Sequence, residues 1–140
     1  MGMYTEVFAR MVLVKEAPRD VLDALRSMMG GELAPDAAPS RDELPAHPLF
    51  DCPRWDLLGC GTSAYFPGMA DSHLRGPSTH DGSYDVLIHG NLKDYSGEIE
   101  KFFDWIDPYI DASPGEFIGY ELYEDVDPGT APHIYFKKEA

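Results

Sequence analysis

The chain has 140 residues, with 25 Asp and Glu against 11 Lys and Arg, and its formal net charge at pH 7 is −14. A length close to about 150 residues is typical of one domain, and 44% hydrophobic residues exclude a wholly disordered acidic chain. No apolar run reaches the roughly 18–20 residues that span a bilayer, and the acidic excess is unsuited to phosphate backbones. We therefore expect residues 1–140 to form a single domain that binds neither a membrane nor nucleic acid directly.

The two cysteines, Cys52 and Cys60, bear on the redox compartment. Small secreted domains that depend on disulfides are much richer in cysteine. The N-terminal residues MGMYTEVFAR also lack the apolar core of a signal peptide. We expect both cysteines to be reduced thiols in a cytoplasmic protein.

The first predicted elements are a strand and a helix. Residues 3–15 alternate between two faces, which is typical of a half-buried strand. After Pro18, apolar residues recur at helical spacing as far as Met29, and a glycine pair follows, which predicts an amphipathic helix of about three turns. Residues 30–48 contain four prolines and predict a long irregular loop.

The middle of the chain predicts short elements. A short helix is expected to start at Asp51 or Pro53 and to end near Leu58. Two short strands, 62–66 and 72–75, are predicted to follow, and then a longer strand over 83–92. Gly90 interrupts the apolar face of that longer strand, which indicates a bulge or a close approach.

The second helix is the clearest element of the sequence. Its apolar stripe consists of Ile99, Phe102, Phe103, Ile106 and Ile110. Either Asp94 or Ser96 can cap its start, and Pro108 should end or kink it near Asp107 because proline lacks the N–H of a helical residue. Strands at 116–124 and 133–137 complete the chain, with a turn signal at 127–129 between them.

These elements predict an α+β fold. We expect an antiparallel or mixed sheet of five to six strands, with the two main helices on one face. The order β-α-loop-β-β-β-α-β-β favours a ferredoxin-like split βαβ core with additions.

The negative charge is concentrated in one segment. Residues 94–127 contain 11 acids and the single base Lys101, a net charge of −10, whereas the other 106 residues have a net charge of −4. On the second helix, Glu100, Asp104, Asp107 and Asp111 form one polar stripe opposite the apolar one. Like charges at this spacing repel one another, so the stripe indicates either a solvated face or a face that binds a cationic partner, with a divalent cation as a further alternative.

Aromatic residues accompany these acids. We expect most of them to belong to the core, with Tyr109 and Tyr123 exposed, since tyrosines among acids are plausible anchors for a protein interface. The predicted binding residues are Glu100, Asp104, Asp107, Asp111, Tyr109, Tyr123, Glu124 and Asp125.

Several segments together resemble a known protein family. They are HPLFDCPRW, TSAYF, NLKDYSGEIEKFFDWIDPYI, EFIGYELYED and HIYF. In these the chain resembles a family of small uncharacterised proteins encoded by bacteriophages and prophages, over most of its length. The resemblance carries no activity or site residues with it. It implies expression inside a bacterial host, with a protein as the partner.

Signals for catalysis and for cofactors are weak. His47, Cys52, Cys60, His73 and His80 lie in the middle third, without the closely paired ligands of zinc sites. A thiolate nucleophile needs a base within reach and an electropositive pocket, which an acidic chain supplies poorly. We predict no catalytic residues, no metal and no cofactor.

The sequence favours a non-enzymatic protein whose acidic face docks on, or blocks, a basic nucleic-acid-binding surface of a host protein. One alternative is a small hydrolase or a ligand-sequestering protein with a pocket between the sheet and the 30–48 loop. His73, His80, His89 and Cys60 would line that pocket. A second alternative is a structural protein that self-associates through its sheet.

Overall fold

A computed structural model of the chain describes residues 4–29, 41–60, 71–124 and 131–139. Five strands and two α-helices are present in this part of the chain. In chain order they are β1 (Thr5–Leu13), α1 (Arg19–Met28), β2 (His73–Arg75), β3 (Tyr84–Leu92), α2 (Glu98–Ile106), β4 (Phe117–Tyr123) and β5 (His133–Phe136). Short 3₁₀ turns occur at Arg41–Glu43, Pro48–Asp51, Trp55–Leu57 and Asp107–Tyr109.

The five strands form one sheet in the order β2-β3-β1-β4-β5, and every neighbouring pair is antiparallel. The first four strands, with α1 after β1 and α2 after β3, have the split βαβ arrangement of ferredoxin-like folds. Strand β5 extends the sheet beyond β4. The α+β prediction is therefore confirmed, whereas the strand predicted at 62–66 lies outside the described residues.

The alternation of β1 gives the sheet two different faces. Val7, Ala9 and Leu13 are completely buried and belong to the same core as the apolar stripes of α1 and α2. The side that carries both helices is called the helix face below. Phe8 and Arg10 alternate with the core residues and point to the other side, which is called the open face.

Two glycines on the helix face permit close contacts between layers. A Cβ on Gly119 of β4 would lie 2.5 Å from the Phe103 ring of α2, and it would also meet the backbone oxygen of Phe8. A Cβ on Gly90 of β3 would lie 3.0 Å from the backbone oxygen of Leu58. The close approach predicted at Gly90 is thus confirmed.

The boundaries of α2 follow from local chemistry. Gly97 precedes the helix with a positive φ of 74°, and Asp94 Oδ1 accepts a hydrogen bond from Ile99 N at 2.9 Å. The N-cap residue is therefore Gly97 and neither Asp94 nor Ser96, although Asp94 satisfies a free N–H of the first turn as a cap would. The helix ends at Ile106, and Pro108 lies in the 3₁₀ turn that follows, so the predicted end near Asp107 is confirmed.

The short helix predicted between residues 51 and 58 is wrong. The structure has a 3₁₀ turn at Pro48–Asp51 and another at Trp55–Leu57. Pro53 lies between the two turns, but it does not by itself explain the missing helix, because proline is tolerated in the first turn of an α-helix. Leu49, Phe50 and Leu58 of this segment are nevertheless part of the core.

Candidate functional site

The four acids predicted as one stripe do not all lie on α2, because the helix ends at Ile106 before Asp107 and Asp111. They are also divided between exposed and internally bonded carboxylates. Glu100 and Asp111 are exposed. Asp107, by contrast, is only 7% exposed, and its Oδ2 accepts a hydrogen bond from Lys137 Nζ at 3.0 Å. Asp104 is exposed but is bonded within the chain, so the four acids do not form one uniform anionic face.

Lys137 and Lys138, which follow β5, are the cations that pair with Asp107 and Asp104. Lys138 Nζ donates to Asp104 Oδ1 at 2.6 Å, and the backbone N–H of Lys138 donates to Asp107 Oδ1 at 3.0 Å. The hydrogen bond from Lys138 is the main reason that the pKa of Asp104 is lowered, and His47 contributes next. The C-terminal segment is therefore held against the polar side of α2 by charge.

The predicted aromatic anchors also differ from each other. The Tyr123 side chain, at the end of β4, is 42% exposed, as expected. Tyr109 is partly buried and packs against the core. The Glu124 carboxylate accepts a hydrogen bond from Tyr4 N, while Asp125 lies outside the described residues.

A second group of acids lies beside α2, where β4 and β5 pass the loop before the helix. The charges of Asp94, Glu100 and Glu121 all act on Tyr135, and we call these three acids, together with the neighbouring Tyr123, the acidic edge. A cavity of about 370 Å³ opens here. Its lining includes the carboxylates of Asp94 and Glu121 together with Thr5, Tyr123 and His133. The cavity thus presents two carboxylates next to an exposed aromatic ring.

The carboxylates of the acidic edge are electrostatically crowded. The pKa of Asp94 is raised from 3.8 to about 6, mainly by burial and then by the nearby charges of Glu121 and Glu98. Glu121 Oε1 accepts a hydrogen bond from Tyr135 OH at 2.6 Å and lies 3.5 Å from His133 Nδ1. Burial and this contact with Glu121 also raise the pKa of Tyr135. A cation entering the cavity would relieve the repulsion between these carboxylates.

Only part of the acidic edge could be predicted from the sequence. Glu100 and Tyr123 were predicted binding residues, but Asp94 was identified only as a helix cap, and Glu121 was not selected. Glu121 pairs with His133 across β4 and β5, and its charge reaches Asp94 from a different element. The alternation of β4 places Glu121 on the helix face, but the neighbours it meets there are set by the sheet order.

The open face carries a separate polar cluster that sequence analysis missed. His89 Nε2 donates to Glu6 Oε2 at 2.6 Å, and Tyr120 OH donates to the same oxygen at 2.9 Å. Glu6 is only 6% exposed, and burial together with Glu6 raises the pKa of Tyr120 to about 12. These two hydrogen bonds connect β3, β1 and β4.

The side-chain amide of Asn91, opposite Glu6 on β3, is completely buried without a hydrogen-bond partner among the described residues.

The residues of the alternative catalytic pocket are spread over the molecule. His73 and His89 lie on the open face, whereas His80 lies exposed in the turn between β2 and β3. Cys60 lies on the helix face, because its backbone N is 3.5 Å from the position of a Cβ on Gly90. Burial and then the charge of Asp56 raise the pKa of the Cys60 thiol, which is the opposite of what an activated nucleophile requires.

Within the described ranges, no three His, Cys, Asp or Glu side chains are placed to hold a metal ion together. In the same part of the chain, neither helix has the length and apolar character required to cross a membrane.

Comparison of the sequence and the fold with protein-family models, curated proteins and solved structures found no match. The resemblance to phage proteins therefore stays a prediction.

Proposed function

We propose that this chain is a non-enzymatic protein-binding module whose acidic edge docks on a basic surface of another protein. The cavity with Asp94 and Glu121 would receive a lysine or arginine side chain of the partner. Tyr123 would pack against the aliphatic part of that side chain or against its charge. In the phage setting that the sequence resembles, the partner would be a host protein with a nucleic-acid-binding surface.

The observation that supports this proposal most strongly is the raised pKa of Asp94. With a pKa of about 6, the Asp94 carboxylate is not fully compensated by the residues that the structure describes, because burial and two other acids oppose its ionisation. A partner cation would supply that compensation and would favour the ionised form of Asp94. Binding should therefore become stronger as the pH rises through about 6 and weaker as salt is added.

Asp104 and Asp107 are excluded from the proposed surface, because both form ion pairs within the chain. Both carboxylates already bind lysines of the C-terminal segment, so a partner cation would have to displace those lysines. Glu100 of the acidic edge is exposed on α2, whereas the exposed Asp111 lies beyond the end of α2 and does not line the cavity. We assign Glu100 to steering of the approaching partner and assign anchoring to the cavity.

A titration with an oligolysine peptide tests the anchoring step. We expect the amide NMR signals of Asp94, Glu121 and Tyr123 to shift, with weaker binding at high salt and at pH 5. The double variant with Asp94→Asn and Glu121→Gln should lose most of the affinity. The control with Glu16→Gln and Asp71→Asn has the same change of net charge at exposed positions away from the edge and should lose little.

The same two variants test the proposal with natural partners. Proteins captured from bacterial lysate at low salt should be released at high salt, and the edge variant should fail to retain them. Equal capture by the edge variant and by its charge-matched control would show that total charge, and not the acidic edge, is responsible.

A further inference from the structure

We propose that the open face of the sheet is a contact between two copies of this chain, in which Phe136 of each copy enters a groove of the other. The proposal is independent of the acidic edge, which lies on the other side of the sheet. It depends on a groove, on an exposed ring beside it, and on the charges around both.

The groove lies where β1 and β4 separate. The two strands pair from Thr5–Tyr123 to Ala9–Gly119, and beyond this point β1 continues toward Ile110. A cavity of about 440 Å³ occupies the gap. Apolar side chains form most of its lining, among them Met11, Val12, Leu87, Ile110, Phe117 and Ile118. This volume and this lining fit a large apolar side chain.

The side chain that could fill the groove is next to it on the same face. Phe136 of β5 is 52% exposed, and Ile134 on the same strand is 43% exposed. Phe136 pairs with Phe117, which lines the groove, so the projecting ring and the cavity are neighbours across one strand pair. If the projecting ring and the cavity are adjacent, a two-fold axis between them lets Phe136 of each copy enter the groove of the other. Both contacts then form together, and the assembly is complete with two copies.

The charge distribution favours a second copy over a strongly basic or acidic partner. Among the described strand residues of the open face, the acids are Glu6 and Asp85 and the bases are Arg10 and Arg75. The lining of the groove likewise contains both signs, with Arg10 and the acids Asp85, Asp111 and Glu116. A two-fold contact can bring Arg10 of each copy toward carboxylates of the other, while the acidic edges remain on the outer sides.

The contact should be weak. Strands β2 and β5 have three and four residues, so the open face is narrow at both margins and smaller than the interfaces of obligate dimers. We expect a dissociation constant of about 10–100 µM, because a small interface must also offset the entropy of association.

Sedimentation velocity of the full chain over concentrations from about 5 to about 500 µM tests this proposal. The expected result is a shift from monomer to dimer in this range. Phe136→Glu and Val12→Glu, which place a charge at the projection and at the groove wall, should each keep the chain monomeric with an unchanged circular dichroism spectrum. The matched control is Leu57→Glu, because Leu57 is 39% exposed in a 3₁₀ turn that belongs to the helix-face layer.

Three outcomes would overturn the proposal. The first is a monomer at every concentration, and the second is a dimer that Phe136→Glu leaves intact. The third is a monomer whose groove binds a small apolar dye, with Val12→Glu removing that binding, which would identify a small-molecule site. Oligolysine binding by Phe136→Glu should equal that of the wild-type chain, which separates this contact from the acidic edge.

Discussion

The acidic edge and the open face differ in how their charged groups are compensated. At the edge, Asp94 lies near Glu121 and Glu98, and its ionisation is opposed. On the open face, the buried carboxylate of Glu6 accepts hydrogen bonds from His89 and Tyr120. Both regions contain buried or half-buried acids, but at Asp94 the hydrogen bonds from the described residues do not offset burial and the charges of Glu121 and Glu98. Local compensation, more than the number of acids, therefore distinguishes a candidate binding surface from a structural one.

The stripe predicted on α2 supports the same conclusion. Its four acids look equivalent by spacing, but Asp107 is nearly buried against Lys137, while Asp111 is exposed. Substitutions at compensated and at uncompensated positions can test this contrast.

Gly119→Ala should lower the free energy of unfolding most. The added Cβ would push the sheet away from α2, and this packing supports both the acidic edge and the open face. The new Cβ would meet backbone of β1 as well as the Phe103 ring, and backbone cannot move aside as a flexible side chain can. We expect the free energy of unfolding to fall by about 3 kcal/mol or more, measured by urea denaturation. Gly115→Ala, with open space around it but a φ of +91°, should lose only about 1 kcal/mol through backbone strain.

Asp107→Ala tests the compensated part of the predicted stripe. The change would leave Lys137, whose side chain is 11% exposed, without its carboxylate, and it would remove the acceptor for Lys138 N. We expect a loss of about 3 kcal/mol in the free energy of unfolding. The matched variant Asp111→Ala should change it by less than about 0.5 kcal/mol. Similar losses in the two variants would mean that the internal pair contributes nothing beyond an exposed acid.

Glu6→Ala tests the polar cluster of the open face. It would leave His89 and Tyr120 without their shared acceptor in a nearly buried position. We expect thermal or urea denaturation to show a loss of about 2 kcal/mol. Glu6→Gln, which keeps one acceptor oxygen, should lose less. Oligolysine binding at the acidic edge should be the same in both variants, and a change in that binding would contradict the separation of the two regions.

Asp94→Asn should increase stability, which is the reverse of the other three variants. Between about pH 4 and pH 6 the folded chain binds more protons at Asp94 than the unfolded chain, because its pKa is raised from 3.8 to about 6. The contribution of Asp94 to the free energy of unfolding is therefore lost as the pH rises through that interval. We expect the variant to be more stable than the wild-type chain by about 1 kcal/mol at pH 7, after allowance for partial exposure, and nearly equal at about pH 4.

Asparagine is a suitable replacement because its Oδ1 can still accept the hydrogen bond from Ile99 N. The paired measurement is the pH dependence of unfolding for both chains. A constant difference between them from pH 4 to pH 7 would show that ionisation of Asp94 does not oppose folding. That result would also remove the main support for a cation-binding cavity.

Much of the fold could be predicted because its signals are local. The alternation of β1, the apolar stripe of α2, the hydrogen bond of Asp94 to the first turn of α2 and the end of α2 before Pro108 each depend on a few consecutive residues. The helix predicted between residues 51 and 58 is replaced by two 3₁₀ turns, although Leu49, Phe50 and Leu58 of this segment still reach the core. The candidate site was less predictable, since Asp94 and Glu121 lie 27 positions apart in the chain and meet only through the sheet.

Local patterns in the sequence predicted the five described strands, α2 and the strongly acidic segment 94–127, because periodicity and charge are properties of neighbouring residues. The tertiary structure decided which carboxylates are compensated. Asp107 meets Lys137 from 30 positions away because β5 extends the sheet beside β4, and no comparable cation reaches Asp94 within the described residues. The reason is physical: the ionisation of a carboxylate depends on its burial and on charges within a few ångströms, and those distances are set by how the elements pack.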